Sequence, residues 1–391
     1  MSHVRESDVN LLVLSELFPP AIGGSGELLR NILLRLDGAS IRVWADAVDG
    51  LPREIDDGPL RVTRTPMRSA DWGLRPASLA RHLRWAARIR RATRHPHTLV
   101  QCARALPEGA AAWFARISGG APYACWAHGE DISVALLSRE YSLLMKRVFR
   151  GASAIFANSL NTARMLEPFG IGLDAVTVVY PGVDAERFRP DVPGAAQLRA
   201  RLAGDRPLLL TVGRLQRRKG HDLMIDAVAI LRRKGTRLTY VIVGDGEERE
   251  RLESRARDHG IADDVVFAGA VAADDLPMYY AAADLFCHPN RIDGADIEGF
   301  GIVFLEAAAA GLPVIGGNSG GVPEAVEAGV TGELVSGESA DELASTLQSL
   351  LDDPDRRAAF GRAGRQRVLE QFTWARAARQ VVAVHERLLS R

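Results

Sequence analysis

The chain is poor in cysteine. Three Cys (Cys102, Cys125, Cys287) among 391 residues are too few and too scattered for a disulfide framework or a zinc cluster. Long hydrophobic runs are missing too. Stretches such as Leu208–Val212 have strand length, well short of the ~18–20 apolar residues that span a membrane. The first ten residues are polar and charged, unlike a secretory signal. There is no internal repeat and no low-complexity linker. Lysine is scarce: only Lys146, Lys219 and Lys234 stand among 49 basic residues, so each carries more information than one of the many Arg. Net charge is absent as well, 49 basic side chains balancing 49 acidic ones.

That balance hides an uneven distribution. Residues 1–190 carry 24 basic and 19 acidic side chains, and residues 191–391 carry 25 and 30. Within residues 60–150 the count is 16 against 5. Equal totals therefore exclude a uniformly basic protein but not an acidic partner on one face. Apolar residues at 47% and charged ones at 25% are ordinary globular values, which excludes a disordered or fibrous chain. At roughly 100–200 residues per domain, the length favours two domains.

Short apolar or β-branched runs alternate with longer helical patterns. Candidate strands are Leu11–Leu14, Ile41–Trp44, Leu99–Cys102, Ala124–Ala127 and Ala154–Ala157, then Leu208–Val212, Tyr240–Val243, Val265–Phe267, Leu285–Cys287 and Val314–Ile315. Near-continuous hydrophobicity suits parallel strands covered on both faces. Helical patterns such as Leu28–Leu36, Asp222–Arg233, Glu247–Asp258 and Ala340–Leu351 lie between them. The alternation predicts an α/β fold with parallel sheets. The Pro/Gly-marked stretch from Tyr180 to Pro190, followed by Pro193-Gly194, marks a boundary. Two doubly wound domains are expected, residues 1–187 and 188–372, facing a cleft, with one more helix in residues 373–391. In such sheets ligands bind beyond the carboxyl ends of strands, beside helix N-termini.

Four constellations fall at those ends. Gly23 and Gly24, in the loop after the first strand, permit close backbone approach and precede a helix N-terminus suited to phosphate; many such glycines are simply turns. Arg214 and Lys219, five residues apart after a strand, suit a diphosphate clamp that needs no metal. A solvated basic turn would read the same way. In Glu298-Gly299-Phe300-Gly301-Ile302, the glycines open an apolar, Ala-rich helix that contains Glu306. A carboxylate there needs donors, which ribose hydroxyls would provide, or else a structural ion pair. Glu298, just before the helix, is placed either to accept from sugar hydroxyls or to partner the helix dipole. His128 follows a strand in the first half, with a structural and a catalytic reading equally open. Tyr280 reads as packing, and Asp293 and Asp296 are assigned no metal role.

Together these residues resemble a known family. Gly23-Gly24, His128-Gly129, Asn158-Ser159 with Thr162, Val179–Asp184, Val212–Leu215 with Lys219-Gly220, Ile242–Gly246, Glu298–Glu306 and Gly320–Glu324 are similar to the motifs of glycosyltransferase family 4. The likeness runs from about residue 10 to 335, and the E-x7-E segment with the Arg/Lys pair is its specific part. It implies a retaining enzyme of the GT-B fold, with two Rossmann-like domains: an acceptor-binding one, joined by the C-terminal helix, and a donor-binding one. It also implies roles: Arg214 and Lys219 on the donor diphosphate, helped by the backbone at Gly24 and Gly301; Glu306 on the ribose; Glu298 on the transferred hexose; and His128 near its reactive carbon. Gly23, Gly299, Phe300 and Ile302 complete the donor-binding set. Residues 291–297 resemble those of phosphatidylinositol mannosyltransferases, which suggests a GDP-mannose donor. UDP-glucose or UDP-GlcNAc stays open, as do a sugar-nucleotide 2-epimerase and a non-catalytic nucleotide-sugar binder.

No D-x-D pair ends a strand, and fixed cations are available for the leaving diphosphate, so no cofactor or metal is expected beyond the nucleotide sugar as co-substrate. Basic amphipathic patterns at residues 78–94 (with Leu79, Leu83, Trp85 and Ile89) and 139–150 suit an anionic membrane surface, or else a solvated face. Nucleic acid is not expected, because no aromatic platform accompanies the charge. The chain reads as cytoplasmic, peripheral on the inner face of the membrane.

Overall fold

The computed structural model describes residues 10–389, apart from Ile22 and Ala70. The polar N-terminal stretch, Ile22 of the glycine loop and the last two residues of the expected C-terminal helix therefore lie outside the described residues. The chain divides into two compact units. One ends at Pro181 and takes in the segment from Trp374; the other is Gly182–Thr373. The division falls ahead of the expected boundary at 187/188 for a local reason. Val183 already donates its N–H to Phe372 O at 2.9 Å and bridges Thr373, so the segment after Pro181 is paired to the end of the second unit.

The first unit is built on eight strands: β1 (Asn10–Ser15), β2 (Ser40–Ala45), β3 (Glu54–Asp57), β4 (Leu60–Arg64), β5 (Thr98–Cys102), β6 (Tyr123–Ala127), β7 (Ala154–Ala157) and β8 (Val176–Val178). Their order in the sheet is β3-β4-β2-β1-β5-β6-β7-β8. Every pairing is parallel except the β3–β4 hairpin at one edge. β5 and β6 are buried at every position, as expected of parallel strands covered on both faces. In this unit the apolar-run reading missed β3, β4 and β8: β3 is mostly acidic, β4 alternates apolar with polar or charged residues, and β8 is three half-buried residues.

The second unit has six parallel strands: β9 (Leu208–Val212), β10 (Thr239–Val243), β11 (Val265–Gly269), β12 (Leu285–His288), β13 (Val314–Gly317) and β14 (Gly332–Val335), ordered β11-β10-β9-β12-β13-β14. In each sheet chain succession runs outward to one edge and then returns to the other side. The reversal falls between β1 and β5 in the first unit and between β9 and β12 in the second. These are the points where doubly wound sheets leave a crevice.

One core cluster gathers Leu12, Leu14, Ile89, Val148 and Phe149 in the first unit; another gathers Leu209, Met224, Ile242 and Leu347 in the second. Each such side chain contributes roughly 1.5–3 kcal/mol on burial. The C-terminal helix Trp374–Leu389 buries Trp374, Ala377, Ala378, Val381, Val384 and His385, a spacing of three and four that makes one apolar face. His385 meets Phe156 of β7 edge-on. The basic helix forms at Pro76–Ala92, but its buried face is Ser78, His82, Ala86 and Ile89. Of the apolar residues expected there, Ile89 is buried, Leu79 and Trp85 are half-buried, and Leu83 is 50% exposed. Among the described residues no helix is long and apolar enough to cross a membrane. All three cysteines are buried and unpaired.

Candidate active site

Beyond β9 the chain turns through Arg217–Lys219 and enters the helix His221–Arg233. Gly220 joins the two at φ +74°, and a Cβ there would run into the Pro289 carbonyl, so only glycine fits. His221 is buried beneath this loop with Nε2 3.2 Å from Arg214 O. A carbonyl only accepts, so Nε2 carries the proton. Burial holds the His221 pKa down at about 4, and Lys219 repels a second proton, so the ring is neutral.

The turn buries Lys219, and its Nζ lies 2.5 Å from Glu298 Oε2. Arg218 Nη1 reaches the same oxygen at 2.7 Å, and Asn290 Nδ2 donates to it at 3.0 Å. Arg218 Nε lies 2.6 Å from Asp296 Oδ1. The side chains of Arg218, Lys219 and Glu298 are 8%, 11% and 12% exposed. Burial raises the Glu298 pKa, but Lys219 and Arg218 outweigh it and hold the carboxyl at about 2. Burial lowers the Lys219 pKa; Glu298 opposes this, while Arg218 and Arg214 reinforce it. Arg218 and Lys219 thus meet the carboxylates of Asp296 and Glu298, and the charge of Arg214 is felt at Lys219 as a third cation nearby. The imbalance favours an anion, and Arg214 is exposed to receive it.

Glu298 is fixed through its backbone as well: its carbonyl accepts from Gly321 N at 2.9 Å, and a Cβ on Gly320 would overlap that carbonyl. Gly299 and the buried Phe300 lead to Gly301, at φ +89°, whose missing Cβ leaves room for the Phe304 ring. The helix Ile302–Ala309 starts there, presenting its first N–H groups beside Glu298. Glu306, expected to take either ribose hydroxyls or a structural ion pair, is half-buried and accepts from Tyr280 Oη at 2.6 Å. Tyr280 is therefore more than packing. It is wholly buried, and its hydroxyl holds a carboxylate for which sequence reasoning named no tyrosine partner.

His128, Gly23 and Gly24 belong to the first unit. His128 follows β6, stacked on Trp126 with an interplanar angle of 5°. Its Nε2 lies 2.8 Å from Ala103 O, so Nε2 carries the hydrogen and Nδ1 is left as an acceptor. Burial lowers the His128 pKa, with Asp131 pulling the other way. The Asp131 side chain accepts from the N–H groups of His128 and Gly129, each at 3.0 Å, closing the turn. Gly23 precedes the helix Gly24–Leu33, and a Cβ on it would meet nothing within 4 Å. Gly26 is the glycine that packing requires, since a Cβ there would overlap the Leu17 carbonyl.

The structure thus joins Lys219 to Glu298 directly, places Gly299, Phe300, Gly301 and Ile302 as the link to the helix, and puts Arg214 on the same loop as Lys219. Sequence reasoning passed over Arg218 and Asn290. The signal for Arg218 was the run Arg217-Arg218-Lys219, but the run does not reveal which Arg turns inward.

Two family models match the chain: Glycosyltransferase Family 4 over residues 22–187, and Glycosyl transferases group 1 over residues 197–367. A GDP-mannose-dependent alpha-(1-6)-phosphatidylinositol monomannoside mannosyltransferase of Mycobacterium tuberculosis is 38% identical over 379 residues, covering 93% of this chain and 94% of that one. A GDP-mannose-dependent monoacylated alpha-(1-6)-phosphatidylinositol monomannoside mannosyltransferase of Corynebacterium glutamicum is 33% identical over 370 residues, with coverage of 93% and 94%. Among solved structures, sucrose-phosphate synthase from Thermosynechococcus elongatus superposes with a TM-score of 0.83 at 23% identity, covering 98% of this chain and 99% of that one; the shared architecture is the GT-B fold. With the relatives matched end to end and the Lys219–Glu298 segment at the strand ends of a doubly wound sheet, the chain belongs to glycosyltransferase family 4 and is a hexosyltransferase that uses a nucleotide-sugar donor.

Proposed function

We propose that the protein is a retaining mannosyltransferase that moves mannose from GDP-mannose to a hydroxyl of an inositol-lipid mannoside. The observation that carries the donor-site reading is the convergence of Lys219, Arg218 and Asn290 on Glu298, in front of the helix at Ile302. Mannose and GDP are supported by the names of the relatives matched over 93% of the chain, and the lipid acceptor by the same names.

In this reading the C1–phosphate bond breaks and the acceptor oxygen bonds to C1 on the face the diphosphate leaves. The acceptor proton passes to a departing phosphate oxygen, so no protein nucleophile is required. Negative charge grows on the diphosphate. Arg214, Lys219 and the first N–H groups at Ile302 stabilise it, and such preorganised donors contribute about 3–4 kcal/mol each. Glu298 holds Lys219 in place and offers its carboxylate to hexose hydroxyls. Glu306, held by Tyr280, takes the ribose. The His128 Nε2 contact to Ala103 O leaves Nδ1 as the acceptor, and in this reading Nδ1 accepts a hydrogen bond from a hexose hydroxyl. With fixed cations at the diphosphate a divalent metal is unnecessary, and chelation by EDTA leaves the rate unchanged.

Incubation with GDP-mannose, UDP-glucose and UDP-GlcNAc, each with phosphatidylinositol monomannoside in micelles, tests the assignment by mass spectrometry. Mannosylated lipid from GDP-mannose alone is expected; faster turnover of a UDP-sugar overturns the donor reading.

The acceptor lipid implies a peripheral, cytoplasmic-face location. Arg84, Arg90, Arg91 and Arg94 are exposed on the first basic segment, beside Leu83. Arg139, Arg147 and Arg150 are exposed on the helix Arg139–Gly151, with Leu137 77% and Leu143 51% exposed nearby. Flotation with anionic but not neutral liposomes, lost at high salt, is the expected result. Flotation that ignores lipid charge refutes it.

A further inference from the structure

The backbone of His128 is fixed on both sides. Its N–H donates to Asp131 Oδ1 at 3.0 Å, and its carbonyl accepts from Asn158 Nδ2 at 3.4 Å. The ring still has two torsions of its own. The Nε2–H bond to Ala103 O, 2.8 Å long, pins one ring atom but does not by itself set the plane of the ring.

Trp126 supplies that plane. It stands two residues earlier, in β6, where the pleat sends alternate side chains to the same face. Its indole lies at 5° to the imidazole with ring centroids 6.1 Å apart, within the range at which aromatic pairs interact. The indole is itself braced. Trp126 pairs in register with Phe156 of β7, and the two rings stack at 4.9 Å and 29°. Phe156 in turn meets His385 at 6.2 Å, which carries the series of rings to the C-terminal helix. Trp126, Phe156 and His385 are all buried. Burial holds the His385 pKa down at about 4, so its ring is neutral and the series carries no charge.

Packing alone does not account for an indole at this position. Its Nε1–H is buried with no partner among the described residues, which costs about 1–3 kcal/mol. An aliphatic side chain would fill the space without that cost, but it has no flat face to set against His128.

We propose that Trp126 is a positioning residue for sugar transfer: its ring, braced by Phe156, holds the His128 imidazole in one plane and so presents Nδ1 in a single orientation. The proposal rests on the role given to His128 in the transferase reading.

The test compares full-length wild type, Trp126→Leu and Trp126→Phe in two measurements. The first is steady-state transfer from GDP-mannose to phosphatidylinositol monomannoside in micelles. The second is nitrogen NMR of histidine-labelled protein, with the His128 signal identified by its loss in His128→Ala. Trp126→Leu is expected to lower kcat about tenfold with the KM for GDP-mannose within twofold, the cost of a misdirected contact. Trp126→Phe keeps a flat ring and should restore kcat to within threefold of the wild type. The His128 signal should show the single Nε2–H tautomer in the wild type and in Trp126→Phe, and an average of both tautomers in Trp126→Leu. The proposal is overturned by a Trp126→Leu kcat within twofold of the wild type, by Trp126→Phe as slow as Trp126→Leu, or by a single tautomer that persists in Trp126→Leu. Failure of the transferase reading would appear separately, as a wild type that transfers sugar from no nucleotide donor; the NMR comparison would still decide whether Trp126 places the ring.

Discussion

Replacing Glu298 by alanine removes the acceptor on which three donors converge. Arg218 and Lys219 are then left with 8% and 11% exposed side chains, close to Arg214, with Asp296 still beside Arg218. Breaking a buried pair by deleting one partner costs about 3–5 kcal/mol, because the orphaned charge stays desolvated. Each kcal/mol shifts the melting temperature of a unit of this size by about 2–4 °C, so a fall of roughly 6–20 °C is expected. A diphosphate supplies the missing negative charge, so saturating GDP should raise the melting temperature of Glu298→Ala by more than it raises the wild type's. Differential scanning calorimetry with and without GDP measures both quantities. Lys219→Ala is the contrast: Glu298 keeps Arg218 and Asn290, so the melting point drops less, while transfer falls about 100-fold. If Glu298→Ala melted within 2 °C of the wild type and gained no extra protection from GDP, the charge-clamp reasoning would be wrong.

Three further outcomes follow from neighbouring geometry. Tyr280→Phe removes a hydroxyl that donates to Glu306 Oε2 and should raise the KM for the sugar nucleotide about tenfold with little change in melting temperature; an unchanged KM would make the hydroxyl irrelevant to the sugar nucleotide. Gly301→Ala strains a backbone at φ +89° and drives a Cβ into the Phe304 ring, so the start of the helix at Ile302 shifts and activity falls at least tenfold; near-normal turnover counts against a role for these N–H groups. The Glu298 carboxyl titrates at about 2 when folded, below its usual 4.5, so the unfolded chain binds that proton first. Its contribution to stability is complete above about pH 4.5 and is lost as the pH falls through about 2, and acid-unfolding curves of Glu298→Gln should lack that segment.

Much of the scaffold was legible because its physics is local. Leu208–Val212 and Ala154–Ala157 are apolar runs with turn residues at both ends, and both are strands at those bounds. The helix from Trp374 follows from apolar residues spaced by three and four. β3 and β4 were illegible because their pairing with each other supplies what their short, charge-rich sequences do not advertise. The basic segment at 78–94 was read as a helix, and Pro76–Ala92 is one, but which of its residues face the core was not legible. His82 is buried because its Nε2 lies 3.1 Å from the Trp72 carbonyl, a partner ten residues away that no helical period reveals.

The site divides along the same line. Sequence alone determined which chemical groups stand at the strand ends: a glycine loop, an Arg/Lys pair, two Glu eight residues apart, and a His after β6. Those follow from residue identity and from short-range spacing against the strand–helix alternation. Tertiary structure alone decided who meets whom. Arg218 turns inward to Glu298 while Arg214 stays exposed; Tyr280 reaches Glu306 across 26 residues; and Glu16 and Glu108, 92 residues apart, are brought together by the reversal of strand order between β1 and β5. Long-range pairing of polar groups is set by sheet order and burial, which depend on the whole folded chain and leave no period in the sequence.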